Sequence, residues 1–285
     1  MDMEVAMTKV EKYYQQFPQK EVLRLTDSAY GSIESEITKK FLLKYLRPIT
    51  HVADVGSGPG HYSTWLLSMG HYVHLMDLSE ELLNLARNRI VQESLEQNVL
   101  GISKLDARNL SDIPDEKYDL TLLMGPLYHL LEAKDRKLAM QESLRITKPG
   151  GLIFSAIINR LCPIISMMHQ APETLTHKLE HDSKELFRIV NTGKYENIQE
   201  LPNEFTDAYF SELDEVPNLY SDLGVELIET FACQGFASFL YENAEHLKKS
   251  PKAWDLFLDL VFENATRPEL LGGSEHVVFV GRKRP

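Results

Sequence analysis

Three glycines at single-residue spacing follow an acid and a valine in the run Asp54-Val55-Gly56-Ser57-Gly58-Pro59-Gly60. Glycines so placed let the backbone turn tightly and approach a bound molecule where any Cβ would collide. The run is read as a ligand seat. A dinucleotide fingerprint, G-x-G-x-x-G, would put its third glycine at position 61, where the residue is His61. Asp54 sets a carboxylate beside the loop, which disfavours a pyrophosphate and favours a ligand carrying an ammonium or a sulfonium. Asp77, about one strand and one helix later, stands where open α/β folds present a carboxylate to ribose hydroxyls. Asp106, one strand further out, is placed to accept from an adenine amino group, with the Ala107 amide on a ring nitrogen. Each acid alone has a plain structural use, fixing a turn or capping a helix. Together, at successive strand ends, the three point to a nucleoside with a cationic tail.

These residues need a parallel sheet to hold them. The apolar pattern reads as a helix over 33–46 closed by Pro48, a strand over 51–55, a helix over 61–69 stopped by Gly70, and a strand over 72–76. Ser79 is read as the N-cap of a helix carrying Leu82, Leu83, Ala86 and Ile90 on one face. Strands follow over 101–105 and 120–124, then a helix over 133–146, ended by Lys148-Pro149-Gly150-Gly151, and a fifth strand over 152–158. Alternation of strand and helix implies a parallel sheet covered on both faces. Beyond Asn159 the rhythm breaks, and 159–219 reads as an inserted, mostly helical cap. A strand over 225–230, a helix over 251–263 and a last strand over 276–281 complete the core, the last two strands pairing near the sheet edge. The expected division is an N-terminal helical segment over 1–48, a core over 49–158 and 220–285, and the cap.

Composition narrows the partners. The chain of 285 residues carries a net charge of −12, and its basic clusters are short, so a nucleic-acid partner is not expected. Met1-Asp2-Met3-Glu4 lacks the basic flank and apolar core of a signal peptide, and no stretch reads as a membrane span, so a cytoplasmic protein is expected. Cys162 and Cys233 are read as free thiols, and no metal is expected at the site. One rival pattern is His177-Lys178-Leu179-Glu180-His181, which has the H-x-x-E-H spacing of an inverted zinc peptidase motif. It sits in the cap, away from any framework for a third ligand, and reads as a solvated helix face.

The runs Val52 to Gly60, Asp77-Leu78-Ser79, Asp106-Ala107-Arg108 and Lys148-Pro149-Gly150-Gly151 resemble the class I S-adenosylmethionine-dependent methyltransferase family over about 50–158. Gly125-Pro126-Leu127-Tyr128-His129-Leu130 and Leu271-Gly272-Gly273-Ser274-Glu275-His276 are similar to its small-molecule branch. The resemblance implies a Rossmann-like, seven-stranded, mostly parallel sheet with helices on both faces. It implies S-adenosyl-L-methionine as cofactor, leaving as S-adenosyl-L-homocysteine. Gly56, Ser57, Gly58 and Gly60 would hold the methionine part, Asp77 with Leu78 the ribose, and Asp106 with Ala107 the adenine, over a floor of Met124 and Gly125. The family tends to lay an N-terminal segment over the cofactor, which makes Tyr13, Arg24 and Tyr30 candidates.

A sulfonium is already an activated methyl donor, so alignment and exclusion of water carry most of the catalysis. Where the acceptor must lose a proton, Tyr128 and His129 stand at the strand end that faces the methyl, and are the candidate bases. No Asn-Pro-Pro-Tyr or Asp-Pro-Pro-Tyr run of the DNA amino-methyltransferase kind occurs at that place. The expected partner is a small-molecule acceptor, shaped by Met167, Met168, Phe187, Tyr195, Phe205, Tyr209 and Phe210 of the cap, in a monomer or homodimer. A non-catalytic S-adenosylmethionine sensor, a nucleotide oxidoreductase and the zinc peptidase are the alternatives.

Overall fold

The short apolar runs of the first half form strands buried on both faces, as strands between two helix layers must be. The computed structural model describes residues 7–26, 28–198, 205–238, 240–241 and 243–285, so the reading of Met1 to Glu4 lies outside the described residues. The chain opens with α1 (Lys9–Gln16), α2 (Pro18–Arg24) and α3 (Ala29–Tyr45). The alternating unit then runs β1 (His51–Val55), α4 (His61–Ser68), β2 (Tyr72–Asp77), α5 (Glu80–Gln92), β3 (Val99–Lys104), β4 (Tyr118–Leu123), α6 (Ala133–Ile146) and β5 (Thr147–Ile158). The cap contributes α7 (Cys162–Gln170), α8 (Pro172–His181), α9 (Ser183–Thr192) and a small hairpin of β6 (Lys194–Tyr195) with β7 (Ala208–Tyr209). The chain returns through α10 (Glu215–Asp222), β8 (Val225–Ala232), α11 (Asn243–Lys248), α12 (Pro251–Asn264), α13 (Pro268–Leu271) and β9 (His276–Lys283).

The seven strands lie in the order β3-β2-β1-β4-β5-β9-β8. The first five pair in parallel, and β9 runs antiparallel to both β5 and β8, which puts the last pair at the edge. The strand order reverses between β1 and β4, and the crevice outside their carboxyl ends is where such sheets bind ligands. Helices α3, α4, α5 and α12 cover one face, where the Phe41 and Phe231 rings stack 3.8 Å apart. Helices α6 and α10 cover the other, around the fully buried Tyr118 and Tyr220.

Three readings need adjustment. α3 starts four residues earlier than its apolar repeat shows, because Ser28 Oγ accepts from Gly31 N at 2.9 Å and caps a first turn of small residues. β5 starts at Thr147 rather than after the glycines, since Tyr118 pairs with Thr147 and Leu120 with Leu152, and Lys148 to Gly151 bulge out between those pairs. The boundary drawn at 219 falls inside α10, which belongs with the sheet: its Tyr220 hydroxyl donates to Ser155 Oγ at 2.9 Å.

Candidate active site

Two hydrogen bonds fasten the glycine loop to its neighbouring strand, since Gly56 N and Ser57 N both donate to Met76 O, at 2.7 and 3.0 Å. Gly56 has φ +76°, and a Cβ there would lie 2.6 Å from Pro126 Cδ, so the loop and the segment after β4 can close on each other only through a glycine. The loop borders a cavity of about 430 Å3 at the carboxyl ends of β1, β2 and β4. That volume suits a nucleoside-sized ligand.

Asp54, 3 % exposed, accepts from Ser63 Oγ at 2.6 Å. Burial, with a smaller contribution from Asp77, pushes its pKa up to about 7 against the opposing Ser63 bond. Asp77 is aimed by the main chain, Gly58 N donating to Oδ2 and Ser79 N to Oδ1, both at 2.8 Å. Each oxygen keeps a further lone pair for a hydroxyl. Burial raises Asp77 to about 6 despite these amides. The Ser57 hydroxyl is buried on the cavity wall and bonds to nothing among the described residues, an orphan that a polar ligand would satisfy. Asp54, Gly56, Ser57, Gly58, Asp77, Leu78, Asp106, Ala107, Met124 and Gly125 all border this cavity.

Several expected residues stand elsewhere or are already engaged. Gly60 does not border the cavity: it has φ +77° at the start of α4, where a Cβ would lie 3.1 Å from Ala86 Cβ, so it serves helix packing. Both Asp106 oxygens are taken by Arg108, through Nε at 3.0 and 3.1 Å and Nη2 at 2.6 Å. Burial would raise the Asp106 pKa, and those Arg108 bonds outweigh it, holding the carboxyl below its ordinary value. An adenine amino group would have to compete with that arginine. Tyr13 turns away and packs on Phe17 and Phe205, and Tyr30 donates toward Glu275 Oε2 at 2.9 Å, outside this cavity. Tyr14, the neighbour of Tyr13, borders the cavity instead, although no sequence pattern singles it out. Arg24 does border it, holding Glu21 Oε1 through Nε at 3.0 Å.

The two candidate bases are committed. Tyr128 donates its hydroxyl to the Met124 carbonyl at 2.9 Å. His129 Nε2 lies 2.9 Å from the Tyr14 hydroxyl and Nδ1 lies 3.4 Å from the Asp207 carbonyl. An Nδ1–H tautomer satisfies both, with Nε2 accepting from Tyr14. Burial lowers the His129 pKa to about 4, so the ring is neutral. It ties α1 and the cap to the segment after β4.

A second cavity of about 420 Å3 opens behind the first, and Tyr14, Glu21, Arg24 and Tyr128 border both. Its walls are apolar, from Ile158, Met167, Leu186, Ile189, Phe205 and Phe210, and Glu275 and His276 form a polar end. Of the cap residues expected to shape an acceptor pocket, Met167, Tyr195, Phe205 and Phe210 do border it. Met168 and Phe187 are solvent-exposed, and Tyr209 stacks under Arg136. His177, Glu180 and His181 lie exposed on α8, and no group of three or more metal-ligating side chains is found among the described residues. Nor is any described helix long and apolar enough to cross a membrane.

A glycine loop at the switch point of a doubly wound sheet, with a main-chain-aimed carboxylate at the next strand end, defines a nucleoside-binding α/β domain. Comparison with known proteins makes this specific. Residues 53–155 match the family model described as a methyltransferase domain. A ubiquinone biosynthesis O-methyltransferase from Rhizobium leguminosarum is 27 % identical over 188 residues, 64 % of this chain and 72 % of that protein. One from Shewanella is 32 % identical over 109 residues, 38 % of this chain and 44 % of that protein, so the chain spans less than half the length of this relative. A solved S-adenosylmethionine-dependent methyltransferase from Methanosarcina mazei superposes with a TM-score of 0.58 at 16 % identity, covering 86 % of this chain and 97 % of that one, and shares the fold. Over residues 53–155 the chain is similar to the methyltransferase-domain family, and its fold is that of the solved S-adenosylmethionine-dependent methyltransferase.

Proposed function

We propose that the protein transfers the methyl group of S-adenosylmethionine to a small acceptor held in the second cavity. The observation that carries this is the meeting of two cavities at one seam of Tyr14, Glu21, Arg24 and Tyr128, the arrangement that in-line transfer between two ligands requires. In this reading the loop of Gly56, Ser57 and Gly58 holds the methionine part, Asp77 the ribose hydroxyls and Ala107 the adenine, over Met124 and Gly125. Asp54 supplies the negative field for the cationic tail. Arg24 and Tyr14, rather than Tyr13 and Tyr30, close the site from the N-terminal segment. When bound, the donor supplies a methyl carbon already activated by its sulfonium. The protein's share is orientation and exclusion of water.

The acceptor is taken to be a largely apolar molecule, in keeping with the walls of the second cavity. The relatives named as O-methyltransferases favour oxygen as the accepting atom. A net charge of −12 argues against nucleic acid. The protein is taken to work as a monomer or homodimer without a metal. Incubation with S-adenosylmethionine and libraries of phenols and amines, followed by mass spectrometry, should reveal a product heavier by one methyl together with S-adenosylhomocysteine. Tight S-adenosylhomocysteine binding with no methylated product from either library would favour a sensor instead.

A further inference from the structure

Behind the seam, a chain of polar groups runs from the partly exposed Arg24 to the buried Glu34 and His276. Arg24 Nη1 donates to both Glu34 oxygens at 3.0 Å, and His276 Nδ1 lies 3.2 Å from Glu34 Oε2. Glu34 is 7 % exposed, and burial alone would raise its pKa, but Arg24 and His276 outweigh burial and hold it below the ordinary value. Glu34 is therefore a carboxylate, which only accepts hydrogen bonds. With Gln234 Nε2 donating to Glu34 Oε2 at 3.3 Å, the hydrogen on His276 Nδ1 points at the carboxylate, since a lone pair there would oppose those of Glu34. That fixes the His276 tautomer and leaves the lone pair on Nε2. Gln234 fixes the main chain here, its Oε1 accepting from His276 N at 2.9 Å and from Ser274 Oγ at 3.1 Å, and its Nε2 lies 3.3 Å from both Glu34 Oε2 and His276 Nδ1. Among the described residues nothing bonds to Nε2. His276 borders the second cavity, and its ring centroid is 6.0 Å from that of Tyr128, which borders both cavities.

We propose that His276, held by Glu34, takes the proton from a phenol or catechol hydroxyl of an acceptor lying in the second cavity. The inference rests on the methyl-transfer reading and supplies its missing base, since His129 is committed to Tyr14 and Asp207. An imidazole is a poor match for an alkyl alcohol and a good one for a phenol, whose acidity lies far closer. The apolar walls suit the ring that carries such a hydroxyl. As the acceptor oxygen forms its bond to the donated methyl carbon, its proton passes to Nε2. The electron pair of the breaking carbon–sulfur bond stays on sulfur, and Glu34 carries the countercharge of the imidazolium. Glu34 is a positioning residue. The ionisable groups facing His276 are Glu34 and Arg24 from the N-terminal helices, Glu275 beside it and Tyr128 after β4.

The test uses the full chain with S-adenosylhomocysteine, catechol and 4-nitrocatechol. His276→Gln should bind S-adenosylhomocysteine as the wild type does and methylate catechol about 100- to 10,000-fold more slowly, the usual worth of a general base. Its rate should then climb with pH as catechol itself ionises. Glu34→Gln should shift the pH profile in the same direction by less. In the wild type with S-adenosylhomocysteine, at a pH where free 4-nitrocatechol is neutral, the bound probe should show its phenolate absorbance; this needs no substitution. A wild-type rate and unchanged pH profile in His276→Gln would overturn the proposal, as would a bound probe that stays neutral. Wild type that binds S-adenosylhomocysteine but neither binds nor methylates the phenols overturns this inference alone. Wild type that does not bind S-adenosylhomocysteine overturns the methyl-transfer reading as well.

Discussion

The two cavities differ in how the chain builds them. The first is lined largely from one contiguous stretch, with Asp54 to Pro59, Asp77 to Ser79, Leu105 to Arg108 and Met124 to Glu132 arriving at successive strand ends of one sheet. The second is assembled from segments far apart in sequence: Arg24 from the N-terminal helices, Ile158 to Phe210 around the cap, and Glu275 and His276 at the start of the last strand. A site made by adjacent strand ends is fixed by local turns and main-chain bonds. A site made by distant segments depends on buried pairs and packing, such as Glu34 with His276.

This contrast predicts substitutions that separate the two cavities. The largest effect should come from Gly56→Ala, which forces a Cβ onto Pro126 at a φ of +76°. Overpacking and left-handed strain together cost about 3–4 kcal/mol, roughly a 100-fold or greater loss of S-adenosylhomocysteine affinity by calorimetry. Retained affinity would mean that the loop does not touch the ligand. Asp77→Ala comes next, weakening S-adenosylhomocysteine by about 1–3 kcal/mol as ribose hydroxyls lose their acceptor. Unchanged affinity would move the ribose elsewhere.

The third effect is on pH. In the free protein Asp54 titrates at about 7 and Asp77 at about 6, both raised by burial above their ordinary values. Because the folded pKa is the higher one, the free fold loses stability as pH rises from the ordinary carboxylate range through about 7. A cationic ligand with ribose hydroxyls prefers both carboxylates ionised. Above pH 7 neither must shed a proton on binding; below about 7 Asp54 must, and below about 6 Asp77 as well, so affinity should fall with falling pH by up to about tenfold per unit for each group. Calorimetry between pH 8 and pH 5 reads this, and a flat profile would remove both acids from the ligand's surroundings. The smallest effect should be that of Phe210→Ala in the second cavity: a few-fold rise in KM for a phenolic acceptor with S-adenosylhomocysteine affinity unchanged. A matching loss of S-adenosylhomocysteine affinity would show that the two cavities are not separate sites.

The same contrast explains what could be read from the sequence. The alternating strands and helices up to Ile158, the Ser79 cap and the loop at 54–60 are local signals, and the structure places them with small shifts at their ends. Motif position puts Gly60 and Asp106 at the site, yet Gly60 packs against Ala86 and Asp106 is held by Arg108, contacts that spacing alone does not encode. In the N-terminal helices Tyr13 and Tyr14 are neighbours, so only the helix rotation decides which of them faces the cavity. His276 lay inside a run already similar to the small-molecule branch, but its partner Glu34 is over two hundred residues away, and the pairing appears only in the fold. His129 reads as available in the sequence because its own partners, Tyr14 and Asp207, are also far from it along the chain.

The central claim, that the glycine-loop cavity is a seat for S-adenosylmethionine, is tested most directly by calorimetric titration of the protein with S-adenosylhomocysteine and, separately, with NAD. The account predicts saturable, one-site binding of S-adenosylhomocysteine and no binding of NAD; saturable binding of NAD without any of S-adenosylhomocysteine would contradict it.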